Sequence, residues 1–367
     1  MVIQSLELAN YRNYDRLSVQ FDESTNIFYG QNAQGKTNVL ESIYVGSTTK
    51  SHRTSKDKEL IRFGQEEAHI KMIVKKKDVP YRIDMHLKKN RSKGIAVNGI
   101  PIRKSSELFG IVNVIFFSPE DLNIIKNGPA ERRKFIDMEL CQLDKVYVHD
   151  LLNFNKVLRH RNKLLKDLYV KPELMDTLDV WDIQLAEYGY KVSKRREEFI
   201  SQVNEMILPI HKNLSSQKEE LRLVYEPCSA DTQEELLCEL RKNRERDCHL
   251  KSTSVGPHRD DVRFEIGEWD VRRFGSQGQQ RTCALSLKLS EIELVKKIIN
   301  DTPVLLLDDV LSELDGSRQN HLLNEIGNIQ TLITCTGLDE FVQNRFHINK
   351  VFLVDDGKIF PRQEKSS

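Results

Sequence analysis

One stretch of the sequence has the residue types and spacing of a phosphate-binding loop, G-x-x-x-x-G-K-[ST]. Glycines let backbone N–H groups converge on phosphate oxygens, the lysine reaches the β- and γ-phosphates, and the hydroxyl is a Mg²⁺ ligand. An apolar strand is predicted before the loop and a helix over 38–45 after it, so a positive helix N-terminus points at the same place. These residues, predicted to bind ATP, are Gly30, Gln31, Asn32, Ala33, Gln34, Gly35, Lys36, Thr37 and Asn38.

A second stretch whose residues could take part in chemistry is the apolar run Val304-Leu305-Leu306-Leu307, which ends in Asp308 and Asp309. Such a run is typical of a buried parallel strand that carries an acid to the carboxyl edge of the sheet. We expect Asp308 to hold Mg²⁺, together with Thr37, and Asp309 to orient or deprotonate the attacking water. Asp309 and Lys36 are therefore the predicted catalytic residues. Because most of the chain separates the two stretches, both ends must contribute to one ATPase domain.

A third stretch lies between these two. Ser276 is predicted to start a long helix, and a serine at a helix N-terminus beside a glycine can bind a γ-phosphate. Ser312-Glu313-Leu314-Asp315 follows the second stretch. In this order the four stretches resemble the Walker A, signature, Walker B and D-loop motifs of ABC-type ATPases. The resemblance implies that Ser276, Gly278 and Gln279 of one subunit cap ATP held by another, in an ATP-dependent homodimer.

Composition limits what else the protein can do. The 367 residues are 39% hydrophobic and 30% charged, with a formal net charge of +1, so binding to a polyanion must come from local patches. No apolar run is long enough to predict a transmembrane helix, and the N-terminus does not look like a signal peptide, so we expect a cytoplasmic protein without a membrane partner. The six cysteines never form C-x-x-C, so neither a cysteine zinc site nor a disulfide framework is expected.

The strongest local charge lies in residues 50–104, which hold 16 Lys and Arg against 6 Asp and Glu. Alternating strands, with Asn98-Gly99 as a hairpin turn, predict an antiparallel sheet. Its basic face is either a nucleic-acid surface or a solvated face whose lysines guard an edge. The DNA-binding candidates are Lys75, Lys76, Lys77, Lys88, Lys89 and Arg91.

The middle of the chain is predicted to be helical, with long helices over about 130–168 and 173–208, the second ending at Pro209. We therefore predict an α/β fold, an ABC-type P-loop ATPase head with an antiparallel β subdomain and an inserted helical lobe. The expected segments are 1–118 for the N-terminal part of the head, 119–246 for the lobe and 247–367 for the C-terminal part of the head.

Further blocks point to one family. Asn10–Tyr14, Ser118–Leu122, Gly128–Asp137 and Gly256–Asp261 resemble those of the bacterial RecF family, and the resemblance covers nearly the whole chain. It implies an ATP-dependent DNA repair and replication protein, close to SMC heads, whose slow, DNA-stimulated ATPase acts as a switch. It also implies binding to duplex DNA and to junctions of single- and double-stranded DNA, RecR as partner, and RecO and RecA in a pathway that loads RecA at single-stranded gaps. By the same resemblance Arg12 reaches the ATP phosphates.

Some features depart from the wider ABC pattern. Asp309 stands where most ABC ATPases carry Glu. No histidine follows the predicted strand Thr331–Cys335, where the switch histidine of these ATPases is expected. No glutamine marks the predicted strand end at Ser118, so no Q-loop residue is assigned. His258, Arg259, Asp260 and Asp261 have the types for metal or phosphate contact, or form an ordinary loop. Two other functions are open to such a sequence: the nucleotide-binding subunit of a transporter, and an SMC-like structural ATPase. The absence of long heptads disfavours the second.

Overall fold

The structure, a computed structural model, describes residues 1–228, 231–337 and 348–361. It divides into two compact units, the first formed by Met1–Asp121 with Glu291–Ser367 and the second by Leu122–Ser290. Residues 247–290, which we expected in the C-terminal part of the head, thus group with the second unit. The reason is strand pairing, since Asp261–Ile266 pairs along its length with Leu221–Glu226. The assignment of 1–118, 119–246 and 247–367 to functional domains stays a prediction.

Fifteen strands and ten α-helices are formed by the described residues. The strands are β1 (Val2–Tyr11), β2 (Tyr14–Gln20), β3 (Thr25–Tyr29), β4 (Glu67–Lys76), β5 (Val79–Lys88), β6 (Arg91–Val97), β7 (Ile100–Pro101), β8 (Val114–Phe117), β9 (Leu221–Glu226), β10 (Asp261–Ile266), β11 (Trp269–Asp270), β12 (Val304–Asp308), β13 (Thr331–Cys335), β14 (Ile348–Asp355) and β15 (Lys358–Pro361). The helices are α1 (Lys36–Thr48), α2 (Leu122–Lys126), α3 (Pro129–Leu143), α4 (Lys145–Asp167), α5 (Leu178–Leu214), α6 (Gln233–Lys242), α7 (Arg244–Leu250), α8 (Val271–Phe274), α9 (Gln277–Ile299) and α10 (Gly316–Ile326).

The first unit contains two six-stranded sheets. One is antiparallel, in the order β2-β1-β4-β5-β6-β7, and confirms the antiparallel subdomain. The other has the order β15-β14-β3-β13-β12-β8 and is parallel except for β15. Side chains of α1, such as Val39 and Ile43, share one apolar core with Met72 of β4 and Leu306 of β12. Helix α1 therefore packs against both sheets within this shared core.

The parallel sheet places the two predicted nucleotide motifs at one edge. Strand β12 is buried along its whole length, as its apolar run predicts. Strand β13 lies between β3, which leads into the phosphate-binding loop, and β12, which ends at Asp308. All three strands run parallel, so their carboxyl ends meet at the same edge.

The second unit differs from the predicted helices in two places. The predicted helix over 130–168 is two helices, because Asp144 breaks from helical geometry and its side chain accepts hydrogen bonds from the N–H groups of Val146 and Tyr147, which caps α4. The next helix, predicted over about 173–208, differs at both ends. Pro172–Thr177 is a 3₁₀ helix and α5 begins only at Leu178. The prediction that Pro209 ends this helix is also wrong, because α5 continues to Leu214. Beyond the proline, the buried His211 lies 2.9 Å from the Ser286 hydroxyl, which holds the last turn in place.

Candidate nucleotide-binding site

The phosphate-binding loop runs from β3 to α1 with two glycines that have no room for a side chain. Gly30 has φ +153°, and a Cβ there would lie 2.3 Å from the carbonyl oxygen of Val354. Gly35 has φ +113°, and a Cβ there would lie 2.5 Å from Nδ2 of Asn13. Ala33, at φ 64°, is also in the left-handed region. The backbone is thus folded into a concave loop that ends at the N-terminus of α1, which is the geometry that binds phosphate.

The turn between β1 and β2 supports this loop from one side. Asn13 donates from Nδ2 to the Gln34 carbonyl at 2.9 Å, and its Oδ1 accepts from Asn38 Nδ2 at 2.8 Å. The Tyr14 hydroxyl donates to the Gly35 carbonyl at 3.1 Å. Sequence reasoning grouped Asn13 and Tyr14 in a family block but gave them no role. Their polar side chains in a tight turn were the signal that could have identified them.

The turn between β14 and β15 supports the loop from another side. The Asp356 N–H donates to Gln34 Oε1 at 2.6 Å, and the Gly357 N–H donates to the Gln34 carbonyl at 3.3 Å. A Cβ on Gly357 would lie 2.8 Å from the Asn13 carbonyl oxygen. Gln34 is therefore held by both turns, although nothing in the local sequence marks Asp356 or Gly357 as part of the site.

Lys36 is the first residue of α1, and its ammonium group is turned into the loop. Nζ donates to the carbonyls of Gly30 at 2.7 Å and Gln31 at 2.8 Å. The side chain is buried, so its charge is held where the β- and γ-phosphates of a bound nucleotide are expected.

Thr37 and Asp308 meet although most of the chain lies between them. The Thr37 hydroxyl donates to Asp308 Oδ1 at 2.9 Å. Neighbouring oxygens on an octahedral Mg²⁺, at bonds of about 2.1 Å, lie about 2.9 Å apart. The donor set of one hydroxyl and one carboxylate therefore fits the predicted Mg²⁺ ligands in both chemistry and spacing.

Thr334 joins the two acids of the Walker B stretch. Its hydroxyl donates to Asp308 Oδ1 at 2.7 Å and accepts from the Asp309 N–H at 3.0 Å. Burial raises the pKa of Asp308, and the neighbouring charge of Asp309 adds to the effect, while the two hydroxyl contacts oppose it. Asp309 itself has φ 56°, an uncommon conformation for a residue other than glycine. Sequence reasoning did not find Thr334.

Arg12 lies beside the loop, but its guanidinium forms hydrogen bonds with other residues of the protein. Its guanidinium makes two hydrogen bonds to the buried carboxylate of Glu41, at 2.8 and 2.6 Å, and a third to the Glu59 carbonyl at 2.7 Å. Burial alone would raise the pKa of Glu41, but hydrogen bonds from Arg12 and Ser51 hold it below its ordinary value. Contact of Arg12 with ATP phosphates stays a prediction.

A cleft of about 850 Å³ opens beside Arg12 and the start of α1. Arg53, on its wall, donates to Asn38 Oδ1 at 3.2 Å and is one of the charges that lower the pKa of Asp308. Phe63 is fully exposed at the cleft. An aromatic face and several cations are suited to a nucleobase and its phosphates. The lining residues are Arg12, Asn13, Asn38, Arg53, Lys58, Glu59, Ile61, Arg62 and Phe63.

The signature stretch lies in the second unit, at the start of α9. Ser276 and Gln279 form a reciprocal cap, in which the Gln279 N–H donates to Ser276 Oγ at 3.2 Å and the Ser276 N–H donates to Gln279 Oε1 at 2.8 Å. Gln279 also donates from Nε2 to Glu219 Oε1 at 2.8 Å. Ser276 and Gly278 are exposed. The predicted helix start is confirmed, and contact of these residues with ATP stays a prediction.

The Gly256–Asp261 block forms internal contacts in the second unit. Asp260 is buried and accepts from the Tyr225 and Ser193 hydroxyls and from the Cys228 N–H. Asp261 accepts two hydrogen bonds from Arg132, at 2.6 and 3.0 Å. Burial lowers the pKa of His258, whose Nε2 lies 3.0 Å from the Thr253 carbonyl. These contacts tie strands and helices of the unit together.

The six DNA-binding candidates fall into two groups on the antiparallel sheet. Lys75, Lys76 and Lys77 are at the β4–β5 turn, whereas Lys88, Lys89 and Arg91 are at the β5–β6 turn. The ten residues of β5 separate the groups by about 30 Å. Lys75 is paired with Asp78 at 3.0 Å and Lys89 with Glu66 at 2.8 Å, and Lys76 donates to the Gly110 carbonyl at 2.6 Å. Within the described ranges, no acidic oxygen lies within 4.0 Å of the charged nitrogens of Lys77, Lys88 or Arg91.

The position expected for a switch histidine is only partly described. Thr336 follows β13 and is exposed, and residues 338–347 lie outside the described residues. No helix in the part of the chain that the structure describes is long and apolar enough to cross a bilayer.

Known proteins resemble this chain over almost its full length. The family model described as the RecF/RecN/SMC N terminal domain matches residues 2–359. The chain is 63% identical over 361 residues to the DNA replication and repair protein RecF of Agathobacter rectalis, covering 98% of this chain and 99% of that protein.

Solved structures give the same result. The chain superimposes with a TM-score of 0.93 on a structure described as the recombination mediator protein RecF with ATP in the RecFOR pathway, at 35% identity, covering 98% of this chain and 97% of that one. The Smc head domain of Pyrococcus furiosus, at 16% identity and a TM-score of 0.57, shows the same fold. The predicted α/β ABC-type fold is thereby confirmed, and the chain belongs to the RecF family of DNA replication and repair proteins.

Proposed function

We propose that this protein is an ATP-dependent DNA-binding protein of recombinational repair and replication, which dimerises on DNA when it binds ATP and leaves after slow hydrolysis. The observation that carries the proposal is the 2.9 Å contact between Thr37 and Asp308 at the end of the phosphate-binding loop. Two residues so far apart in the chain have no structural need to meet at a glycine-rich loop. Their meeting is what a Mg²⁺-nucleotide site requires.

The residues of the first unit divide the work of binding. The backbone N–H groups of Gly35 and Lys36, at the start of α1, face the phosphates, and Lys36 exchanges a carbonyl contact for a phosphate oxygen. Thr37 and Asp308 hold Mg²⁺, which neutralises charge on the phosphates when bound. Thr334 keeps the Asp308 carboxylate turned toward Thr37. The cleft beside Arg53 and Phe63 offers room for the nucleoside.

Asp309 is the proposed base for hydrolysis. The Asp309 N–H donates to the Thr334 hydroxyl, which also contacts Asp308. The Asp309 side chain is therefore attached directly beyond the end of β12, next to the proposed metal ligand. Asp is one methylene shorter than the usual Glu, which fits an ATPase that turns over slowly and serves as a switch. Asp309→Asn keeps the shape and removes the base, so ATP still binds and hydrolysis falls about 100-fold or more. Asp176→Asn, at an exposed acid of the second unit, is the control.

The proposed partners follow from the family. A related RecF structure is described as a recombination mediator of the RecFOR pathway. We extend this role to the present chain, with RecR as direct partner and RecO and RecA acting with it at single-stranded gaps. The basic ends of the antiparallel sheet supply phosphate contacts for duplex DNA and for junctions. Because the proposed substrate is chromosomal DNA, the proposed location of the protein is the cytoplasm. A transporter subunit would need none of this basic surface.

One experiment separates these functions. The purified chain is mixed with ATP, Mg²⁺ and labelled DNA, and its mass is followed by light scattering while DNA binding is followed by anisotropy. We expect dimers and DNA binding with ATP, and neither with ADP. ATP binding without any dimer or DNA binding would leave a transporter-type role as the better explanation.

A further inference from the structure

A cluster of two histidines and one glutamate lies on the exposed face of the antiparallel sheet, apart from the nucleotide site. Glu67 and His69 are two residues apart on β4, and so point to the same face. His86 of β5 is the register partner of His69 and projects on that face as well. Ala68, Leu87 and Met85, on the opposite face, are buried in the core, which keeps the strands rigid beneath the cluster.

The three side chains converge. One ligand atom from each lies within 4.8 Å of the others. His86 Nε2 is 2.9 Å from Glu67 Oε2, and His69 Nε2 is 3.8 Å from Glu67 Oε1. Ligand atoms on a tetrahedral Zn²⁺, at bonds of 2.0–2.1 Å, lie about 3.3 Å apart. The two contacts with Glu67 end on different carboxylate oxygens, and their lengths bracket that value. A shared ion would therefore require side-chain rotations that bring one ligand atom of each residue to about this spacing.

The surroundings leave the cluster open. In the row of register partners across the sheet, Ala9 of β1 stands beside His69 and Gly94 of β6 stands beside His86. These small residues flank the two imidazoles, which stack with ring centres 4.0 Å apart. A groove of about 880 Å³ runs over this row and is lined by both histidines. A small ion, with water or another ligand in its remaining position, has free access.

The chemistry of the cluster favours a transition metal. Neutral imidazole nitrogen is the commonest protein ligand of such metals, and the cluster offers two of them. Lys88 of β5, the register partner of Glu67, is the nearest cation on the same face, so a bound ion would share the Glu67 carboxylate with it. Further along the strands, Lys71 is paired with Glu7 at 2.9 Å and Arg82 with Asp84 at 2.8 Å. Two imidazoles and one carboxylate with an open position suit Zn²⁺ and its neighbours rather than Mg²⁺.

We propose that Glu67, His69 and His86 form a surface site for a divalent transition-metal ion such as Zn²⁺, with one coordination position open to an outside ligand. The site links β4 to β5 across the sheet whose two ends carry the DNA-binding candidates. It is independent of the nucleotide site, which uses hard oxygen ligands.

The test uses the full chain stripped of metal by a chelator, in excess Mg²⁺ to fill oxygen sites. Co²⁺ and Zn²⁺ are added, and binding is followed by visible ligand-field absorption and by calorimetry. We expect one ion per chain, without the thiolate bands that the exposed Cys228 and Cys238 would give. His69→Gln or His86→Gln should weaken binding at least 10- to 100-fold, the cost of losing even an outer-shell partner.

Three controls distinguish this site from others. His249→Gln changes an exposed histidine of α7, Asp308→Asn removes the oxygen site, and Cys228→Ser removes a thiol; each should leave Co²⁺ binding unchanged. All the changed side chains of the cluster are on the surface, so the variants should keep the wild-type circular dichroism. Wild-type protein that takes up no Zn²⁺, or His69→Gln and His86→Gln variants that bind it as before, would overturn the proposal.

Discussion

The smallest scale at which the site can be tested is the contact between Lys36 and the loop. Nζ of Lys36 donates hydrogen bonds to two carbonyls of the loop, and a phosphate would accept one or two charge-assisted hydrogen bonds from it. Lys36→Ala should therefore weaken ATP binding by about 100-fold or more, with unchanged circular dichroism. Lys50→Ala, an exposed lysine beyond the other end of α1, is the control. Normal ATP affinity in Lys36→Ala would remove the lysine from the site.

The ionised carboxylate of Asp308 should reduce the free energy of unfolding of the nucleotide-free protein. Burial raises its pKa above the ordinary 3.8, so the ionised carboxylate destabilises the folded state. That destabilisation is absent below pH 3.8 and complete above the raised folded pKa. Asp308→Asn keeps an oxygen that can accept from Thr37 and Thr334.

We therefore expect Asp308→Asn to raise the melting temperature at pH 7 in EDTA, and the gain to shrink as the pH falls toward 3.8. The same variant should lose the extra stability that Mg²⁺ and ATP confer on the wild type. Thermal unfolding at several pH values measures both effects. A lower melting temperature at pH 7 would mean that the carboxylate charge is compensated in the folded protein.

At the scale of elements, Pro209 lies inside α5 and is exposed. It cannot donate the backbone hydrogen bond of its position, and its ring crowds the preceding turn. Contacts of His211 and the buried Ile207 hold the helix together in spite of this. Pro209→Ala should raise the free energy of unfolding by about 1–3 kcal/mol, measured by urea unfolding. Leu208→Ala, at a neighbouring exposed position, should change it much less.

The basic ends of the antiparallel sheet make a second prediction at this scale. Replacing Lys88, Lys89 and Arg91 by Glu should weaken DNA binding and lower the slope of log affinity against log salt by up to about 3, because fewer counterions are released. The same change at Lys75, Lys76 and Lys77 should act likewise only if DNA spans both turns. Lys218→Glu with Lys242→Glu, in the second unit, is the control. Equal slopes of log affinity against log salt in all variants would mean that these lysines form a solvated face that protects the sheet edge and do not bind DNA.

The elements also show how far sequence reasoning reaches. The strands and helix around the phosphate-binding loop, the buried strand that ends at Asp308 and the antiparallel hairpins follow from local periodicity and turn residues. The contacts of Gln34 with Asn13 and Gly357 do not, because they join segments whose neighbourhood is decided by strand order. The break at Asp144 and the continuation through Pro209 were missed because capping and packing, rather than propensity, decided them.

At the scale of the whole molecule, the proposal requires two chains to complete each ATP site. Ser276→Arg places a large cation at the exposed start of α9 and should abolish ATP-driven dimers, while ATP affinity of the monomer changes by less than about threefold. Glu234→Arg, at the exposed start of α6, is the control. Light scattering in the presence of ATP measures whether dimers form. Normal dimers of Ser276→Arg would exclude a signature that acts in trans.

A mixture sharpens this test. Lys36→Ala supplies an intact Ser276, and Ser276→Arg supplies an intact Lys36, so a mixed dimer contains one complete site of two. Dimers and part of the ATP turnover should return on mixing, though neither variant shows them alone. Turnover that stays absent at all mixing ratios would argue against a shared site.

The position of β3 has a consequence for how the protein is made. This early strand has β14 on one side and β13 on the other, and the loop that follows it is held at Gln34 by the turn at Asp356 and Gly357. All of these partners lie beyond residue 330, so a ribosome releases the phosphate-binding loop long before it releases what surrounds it. We therefore expect nucleotide affinity to be acquired only near the end of translation, and a prematurely terminated chain to carry the complete loop sequence without the ability to hold ATP.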